Sequence, residues 1–221
     1  MEIIENLWQV GGDGLTAPGD AAVYLVRFAE QAALIDAGCG PAHRQLVDNI
    51  GLCLPPGVQI SHLLLTHCHY DHTGGAEAVR NQFGCRIVAH EQDAVFLENG
   101  DSEVTAASWY GSRMKPLMID RKIAGTSETI PIGSGRLQAL HCPGHSPGSL
   151  VFTAVLTGNT VLFGQDVHGP LHPSLLSDRS AYRRSLQRML ELDADILCEG
   201  HFGVVRGKKA VRRFIQSYLK D

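Results

Sequence analysis

A chain of 221 residues with a formal net charge of -4 is long enough to bury a sizeable core, as one large domain or two small ones. Its hydrophobic and charged fractions, 44% and 19%, are those of an ordinary globular protein, and the scattered charges argue against a dedicated nucleic-acid surface. No run approaches the roughly 18–20 uninterrupted apolar residues of a transmembrane helix, residues 1–6 do not resemble a secretory leader, and the six dispersed cysteines contain no CxxC pair, so reduced thiols and a cytoplasmic location are expected.

In chain order, residues 23–28 and 31–36 read as two β-runs joined by Ala29-Glu30 into a hairpin. A break at Asp36-Ala37-Gly38-Cys39-Gly40-Pro41 precedes a helix over 41–50. The short apolar run 60–66 fits a strand buried on both faces. Helices are predicted at 76–83 and 90–99 with a strand at 86–89 between them, and residues 100–120 read as a loop or small helix. Beyond 128 the chain turns β-rich, with strands at 128–132, 136–141, 149–155 and 160–163. An amphipathic helix over 178–192, capped by Ser177 or Asp178, a strand at 195–198 and a closing helix at 208–219 follow. With no Pro/Gly/Ser linker between halves, the pattern suits one domain over 1–221, in which two packed sheets carry helices outside.

The densest chemistry lies at Thr66-His67-Cys68-His69-Tyr70-Asp71-His72. Imidazoles and carboxylates are ordinary ligands of first-row metals, and three histidines with an aspartate on one strand-end loop outweigh the usual reading of a histidine as a solvated residue. If the strand continues, His67 and His69 point to one side, whereas the adjacent Asp71 and His72 diverge, which suggests two neighbouring metal positions. Cys68 should point away from both ligand directions. Three further candidates end apolar β-runs downstream with glycine nearby: His145 in Pro143-Gly144-His145, Asp166 after Gly164, and His201 after Gly200.

On these residues, HxHxDH at 67–72, PGH at 143–145, GxD at 164–166 and GH at 200–201, the chain resembles the metallo-β-lactamase-fold hydrolase superfamily. The resemblance implies an α/β fold, a four-layer αβ/βα sandwich with metals at one edge of its two sheets. It implies that His67, His69 and His145 hold a first divalent metal, and that Asp71, His72 and His201 hold a second. Asp166 would bridge the two. Zinc is the expected metal, with iron or manganese as alternatives. Two metals sharing a carboxylate can also share a water and lower its pKa from 15.7 towards neutrality, giving a bridging hydroxide that attacks the carbonyl of a thioester, lactone or related acyl compound. Asp71 and Asp166 would orient that nucleophile and pass its proton to the leaving group.

Around this core, Tyr70, Tyr110, Arg113, Lys115, His168 and His172 are candidate substrate contacts. Trp109, Tyr110, Arg113 and Lys115 would form a lid with an aromatic wall and cationic anchors for an acidic substrate, although an ordinary surface loop fits equally. Gly11-Gly12-Asp13-Gly14 reads as a flexible loop bordering the cleft. The expected partner is a small molecule, with no nucleic acid and no membrane, and a homodimer is the expected assembly. Glyoxalase II-type enzymes are similar through 67–201 but usually continue into a C-terminal helical domain, which turns the expectation away from glutathione thioesters. Two alternatives share the motifs: a persulfide dioxygenase with one iron, and a metal-binding regulatory protein.

Overall fold

In the computed structural model, residues 1–164 and 166–219 are described. Strands β1 (Glu2–Ile4), β2 (Leu7–Gly11), β3 (Val23–Phe28) and β4 (Gln31–Ile35) form an antiparallel run. Helix α1 (His43–Gly51) crosses over to β5 (Gln59–Leu64), which lies parallel to β4. A single helical turn α2 (Tyr70–Thr73) and helix α3 (Ala76–Phe83) then lead to β6 (Arg86–His90), and α4 (Glu91–Asn99) to β7 (Arg121–Ile123), both parallel additions. These seven strands form the first sheet in sequential order.

The second sheet begins with the meander β8 (Ser127–Ile132), β9 (Gly135–His141), β10 (Leu150–Leu156) and β11 (Asn159–Phe163). Helix α5 (Arg179–Glu191) crosses over to β12 (Ile196–Glu199), parallel to β11. Strand β13 (Gly203–Arg206) closes the sheet's edge, and α6 (Lys208–Ser217) packs outside.

Alternation along the strands explains the layers. Tyr24, Val26, Ala33, Ile35 and Leu64 of the first sheet share an apolar core with Leu150, Phe152, Ala154, Val161 and Phe163 of the second. Their neighbours Leu25, Leu34 and Leu63 point the other way, onto α1, α3 and α4, while Val151, Leu162 and Leu197 meet α5 and α6. Two faces of each sheet are thus covered, giving helices, sheet, sheet, helices. This is the expected sandwich, and the doubly wound sheet is excluded by the second sheet's antiparallel meander.

Several elements differ from expectation. Strands β1, β2, β7 and β13 were not anticipated. Three of these four have only three or four residues, and β1 turns into β2 through Asn6, which sits at φ +69. The segment 100–120 contains a 3-10 turn, Ala107–Tyr110, within otherwise irregular chain. All six cysteines are free, and no helix among the described residues is long and apolar enough to cross a membrane. Asp178, rather than Ser177, caps α5, accepting from the Ala181 N–H at 2.8 Å.

Strand β10 shows the contrast between its faces, with Phe152 fully buried between the sheets and Val155 71% exposed. Phe152→Ala should lower unfolding free energy by about 3–5 kcal/mol, and Val155→Ala by no more than about 0.5 kcal/mol, in urea melts. Equal effects would mean that the strand's inward and outward faces are misassigned.

Candidate metal centre

Because β9 and β11 flank the antiparallel β10, and β12 lies parallel to β11, strands β9, β11 and β12 run in one direction. The loops after their C-terminal ends carry His145, Asp166 and His201. In the first sheet, β5 delivers the loop 65–69 and then α2. The two sheets meet here, where the Leu150 N–H donates to the Thr66 carbonyl at 2.6 Å. All seven candidate ligands come together at this edge, every one buried except His201, whose side chain is 29% exposed.

They form two donor groups, each with its ligand atoms within 4.8 Å of one another: His67, His69 and His145, and Asp71, His72, Asp166 and His201. In the first, His67 Nε2 lies 3.0 Å from His69 Nδ1. In the second, His201 Nε2 is 3.1 Å from Asp71 Oδ2 and 3.3 Å from Asp166 Oδ2. Asp166 reaches across both groups, with Oδ2 3.4 Å from His145 Nε2 and Oδ1 3.1 Å from His72 Nε2. The expected divergence of Asp71 and His72 is corrected by α2. On a helical turn, adjacent side chains are not opposed as on a strand, and Asp71 Oδ2 approaches His72 Nε2 to 3.8 Å.

Whether this set suits a metal can be tested on its hydrogen bonding. Among the described residues, five buried side-chain polar atoms have no hydrogen-bond partner, and four of them are here: His69 Nε2, His72 Nε2, His145 Nε2 and Asp166 Oδ1. Buried polar atoms are nearly always satisfied, and open ring nitrogens beside a carboxylate oxygen at one point suit a bound cation. The opposite ring nitrogens are engaged. His72 Nδ1–H donates to Asp36 Oδ2 at 2.7 Å, His145 Nδ1–H to the Pro170 carbonyl at 3.0 Å, and His67 Nδ1–H to Thr66 Oγ1 at 3.0 Å. Each bond leaves Nε2 as the available donor atom. The residues fit bound metal.

Electrostatics separates the groups. Burial, reinforced by neighbouring imidazoles, holds His67 far below the ordinary histidine range and His69 at about 3, so both rings are neutral at neutral pH. Burial alone would also lower His72, but Asp166, Asp71 and Asp36 outweigh it and hold that ring well above its usual value. His201 is raised to about 10: burial opposes, and hydrogen bonds to Asp166 and Asp71 prevail. Burial would raise Asp166, yet His72 and the adjacent rings of His145 and His201 hold it well below the usual carboxylate range.

Four supporting residues were not identified from sequence. Asp36, at φ +63, accepts from the Thr66 N–H at 2.8 Å and from Thr66 Oγ1 at 2.7 Å as well as from His72. Buried Asp93, in the first turn of α4, accepts from the N–H groups of Cys68 and Gly148 and from Ser146 Oγ, joining the two ligand loops. Glu199 accepts from the His201 and Phe202 N–H groups and pairs with His168 Nδ1 at 2.9 Å. Thr66 completes the set. Asp36 had a usable signal, since it ends an apolar β-run before glycine as the downstream ligands do; Asp93 had none. Gly144, at φ +129, packs where a Cβ would strike the Tyr182 backbone, which locks the His145 loop against α5.

A profile describing the metallo-beta-lactamase superfamily matches residues 16–201. The chain belongs to that superfamily. Acyl-coenzyme A thioesterase MBLAC2 of Gallus gallus is 30% identical over 226 residues, covering 90% of this chain and 78% of that protein. Hydroxyacylglutathione hydrolase of Anaeromyxobacter dehalogenans is 31% identical over 147 residues, which is 65% of this chain and 47% of that enzyme. Among solved structures, a metallo-β-lactamase of Cronobacter sakazakii superposes with a TM-score of 0.79 at 21% identity, covering 99% of this chain and 93% of that one. A subclass B3 enzyme of Bradyrhizobium japonicum gives 0.78 at 23%, covering 100% and 90%. These superpositions bear on the fold.

The metallo-β-lactamase superfamily edge opens here into a cavity of about 210 Å3 lined by His69, Asp71, Trp109, Tyr110, His168 and Leu175, among others. Of the candidate substrate contacts, Tyr110 and His168 line it. Tyr70, Arg113 and Lys115 do not: they line a separate cavity on the far side of α2, Tyr70 from α2 itself and the two cations after the chain turns at Gly111 (φ +62). His172 caps the 3-10 turn Pro173–Leu175 and meets Trp109 edge-on at 5.3 Å. Residues 11–14 do not line the cavity either; the adjoining Ala21 and Ala22 hold the Asp71 and Gly200 carbonyls.

Two outcomes follow for metal loading. His72 and His201 must shed protons before they can bind a cation, so the second group's affinity falls as pH drops, whereas neutral His67 and His69 keep their lone pairs far below neutrality. Stepwise acidification should strip the second-group metal first, seen as a plateau at one metal per chain in elemental analysis; loss of all metal in one step would contradict this. Asp36→Asn should weaken metal binding about 10–100-fold in chelator competition.

Proposed function

We propose that this metallo-hydrolase cleaves an acyl thioester at a two-metal centre, with lactones and related acyl compounds as the neighbouring substrate class. The observation that carries the reading is Asp166, whose two carboxylate oxygens address both donor groups at the floor of the cavity. When bound, the two cations would supply Lewis acidity that activates water and polarises a carbonyl. His67, His69 and His145 would hold one, and Asp71, His72 and His201 the other, with Asp166 between them. Zinc suits this nitrogen-rich donor set.

The chain's own groups supply the rest. Asp71 and Asp166 accept hydrogen bonds from the attacking water and aim it at the carbonyl. Trp109, Pro170 and Leu175 shelter the acyl group from solvent. Glu199 holds His168 by Nδ1, which leaves Nε2 as the ring's remaining polar atom to hydrogen-bond substrate. At about 210 Å3 the cavity is smaller than pockets that enclose a whole drug-sized ligand, so it takes the reacting end of a substrate whose remainder lies outside. The similarity to the MBLAC2 thioesterase along 90% of this chain supports the thioester reading over lactones. Thiols also leave more readily than alcohols, needing little protonation at neutral pH.

The zinc-loaded protein should hydrolyse short acyl thioesters in preference to lactones and β-lactams in a spectrophotometric panel. Asp166→Ala should lower kcat/KM by about three orders of magnitude and reduce bound metal below two per chain. Full activity in that variant would overturn the assignment. Oxygen uptake with a persulfide, on one iron per chain, would replace hydrolysis by dioxygenation.

A further inference from the structure

On the other side of α2 lies a larger cavity of about 340 Å3, lined by Tyr70, Glu77, Ser112, Arg113, Lys115 and Leu117, among others. It backs onto the metal cavity. Tyr70 lines one and Tyr110 the other, their ring centroids 5.9 Å apart, and α2 is the common wall, presenting Tyr70 and Thr73 to the larger space and Asp71 to the metals.

Three charged side chains reach this cavity, and among the described residues none of them makes an ion pair or a hydrogen bond. A single unpaired surface cation is unremarkable. Here two cations line one concave space with a single carboxylate, leaving it net positive, and concave walls concentrate that potential. The backbone carrying the cations is already held: the Met114 N–H donates to Ser102 Oγ at 3.0 Å, the Leu117 N–H to the Leu97 carbonyl at 2.9 Å, and Met114 and Leu117 are buried. Binding would therefore order two side chains and no loop. Ser112 Oγ donates to the Tyr70 hydroxyl at 2.9 Å, which leaves the Tyr70 O–H free to donate in turn. Pro41, Ala78, Pro116 and Leu117 add apolar wall. The lining asks for an anion on an organic body.

We infer that this cavity binds the oxyanion end, carboxylate or phosphate, of a small organic molecule, gripped by Arg113 and Lys115 with the Tyr70 hydroxyl donating. The oxyanion has two sources: the far end of the thioester whose carbonyl lies at the metals, a form that rests on the hydrolase reading above, or a separate molecule.

Calorimetric titration of the metal-loaded protein with phosphopantetheine and with pantetheine, which differ by the phosphate alone, tests the inference. The phosphorylated probe should bind at least about tenfold more tightly, and added salt should shrink the difference. The preference should vanish in Arg113→Glu/Lys115→Glu. Equal affinities in the unaltered protein, or a preference that survives the double charge reversal, overturns it. The S-acetyl derivatives separate the two sources. A lower KM for the phosphorylated ester, lost in the double variant, assigns the oxyanion to the substrate's far end. Equal KM values, with the phosphorylated thiol binding without raising the KM of S-acetylpantetheine, assign it to a separate molecule. If neither ester is hydrolysed, the hydrolase reading fails alone, since the titration needs no turnover.

Discussion

The carboxylate of Asp36 is the tie on which the site depends. It stands at the end of β4 and takes three hydrogen bonds, two from Thr66 and one from His72. The loop after β5 is thereby clamped to the neighbouring strand, and the orientation of His72 is set in the same act. Thr66 passes the constraint on, since its hydroxyl accepts from His67 and its carbonyl receives the Leu150 N–H of the second sheet. One buried anion thus links both sheets and both donor groups. It is held in a left-handed backbone conformation that a non-glycine residue rarely adopts, a strain that the bonds it makes offset.

Around that tie the fold tolerates what a core ordinarily rejects. Seven ionisable side chains are packed at one edge, and burying charges or unpaired polar atoms is unfavourable unless each finds a partner. The chain meets this cost in two ways. His67 and His69 are kept neutral by burial, and His72 and His201 are kept protonated by Asp71 and Asp166. Carboxylates surround the rings of the second group, whereas His67 and His69 of the first lie among other imidazoles. The same geometry therefore gives two sites of unequal readiness, and the difference comes from where the carboxylates lie.

Much of this was legible in the sequence. The seven ligand positions are a matter of residue type at the ends of apolar runs, and strands of four or more inward-facing apolar residues announce themselves. The short strands β1, β7 and β13 do not, because their pairing is decided by neighbours distant in sequence. Asp71 and His72 show a subtler limit: reading the strand onward through residue 72 made them diverge, but the chain enters a helical turn at Tyr70 and they converge. Asp93 and Glu199 act through bonds to residues up to 55 positions away, which no local pattern encodes.

Residues 100–120 carry the same lesson towards specificity. They read as a lid with aromatic and cationic members in one wall, yet the turn at Gly111 divides them between two cavities. The segment is tied down: Asp101 Oδ1 accepts from the Glu103 and Val104 N–H groups, the Thr105 carbonyl accepts from the Tyr70 N–H at 2.7 Å, and the Ser112 N–H donates to the Ala107 carbonyl at 3.0 Å. The Thr105 bond joins the segment to the very turn that presents Asp71 and His72. The segment is therefore a wall held in place at several points, with Trp109 and Tyr110 lining the cavity beside the metal ligands and Arg113 and Lys115 lining the space behind it.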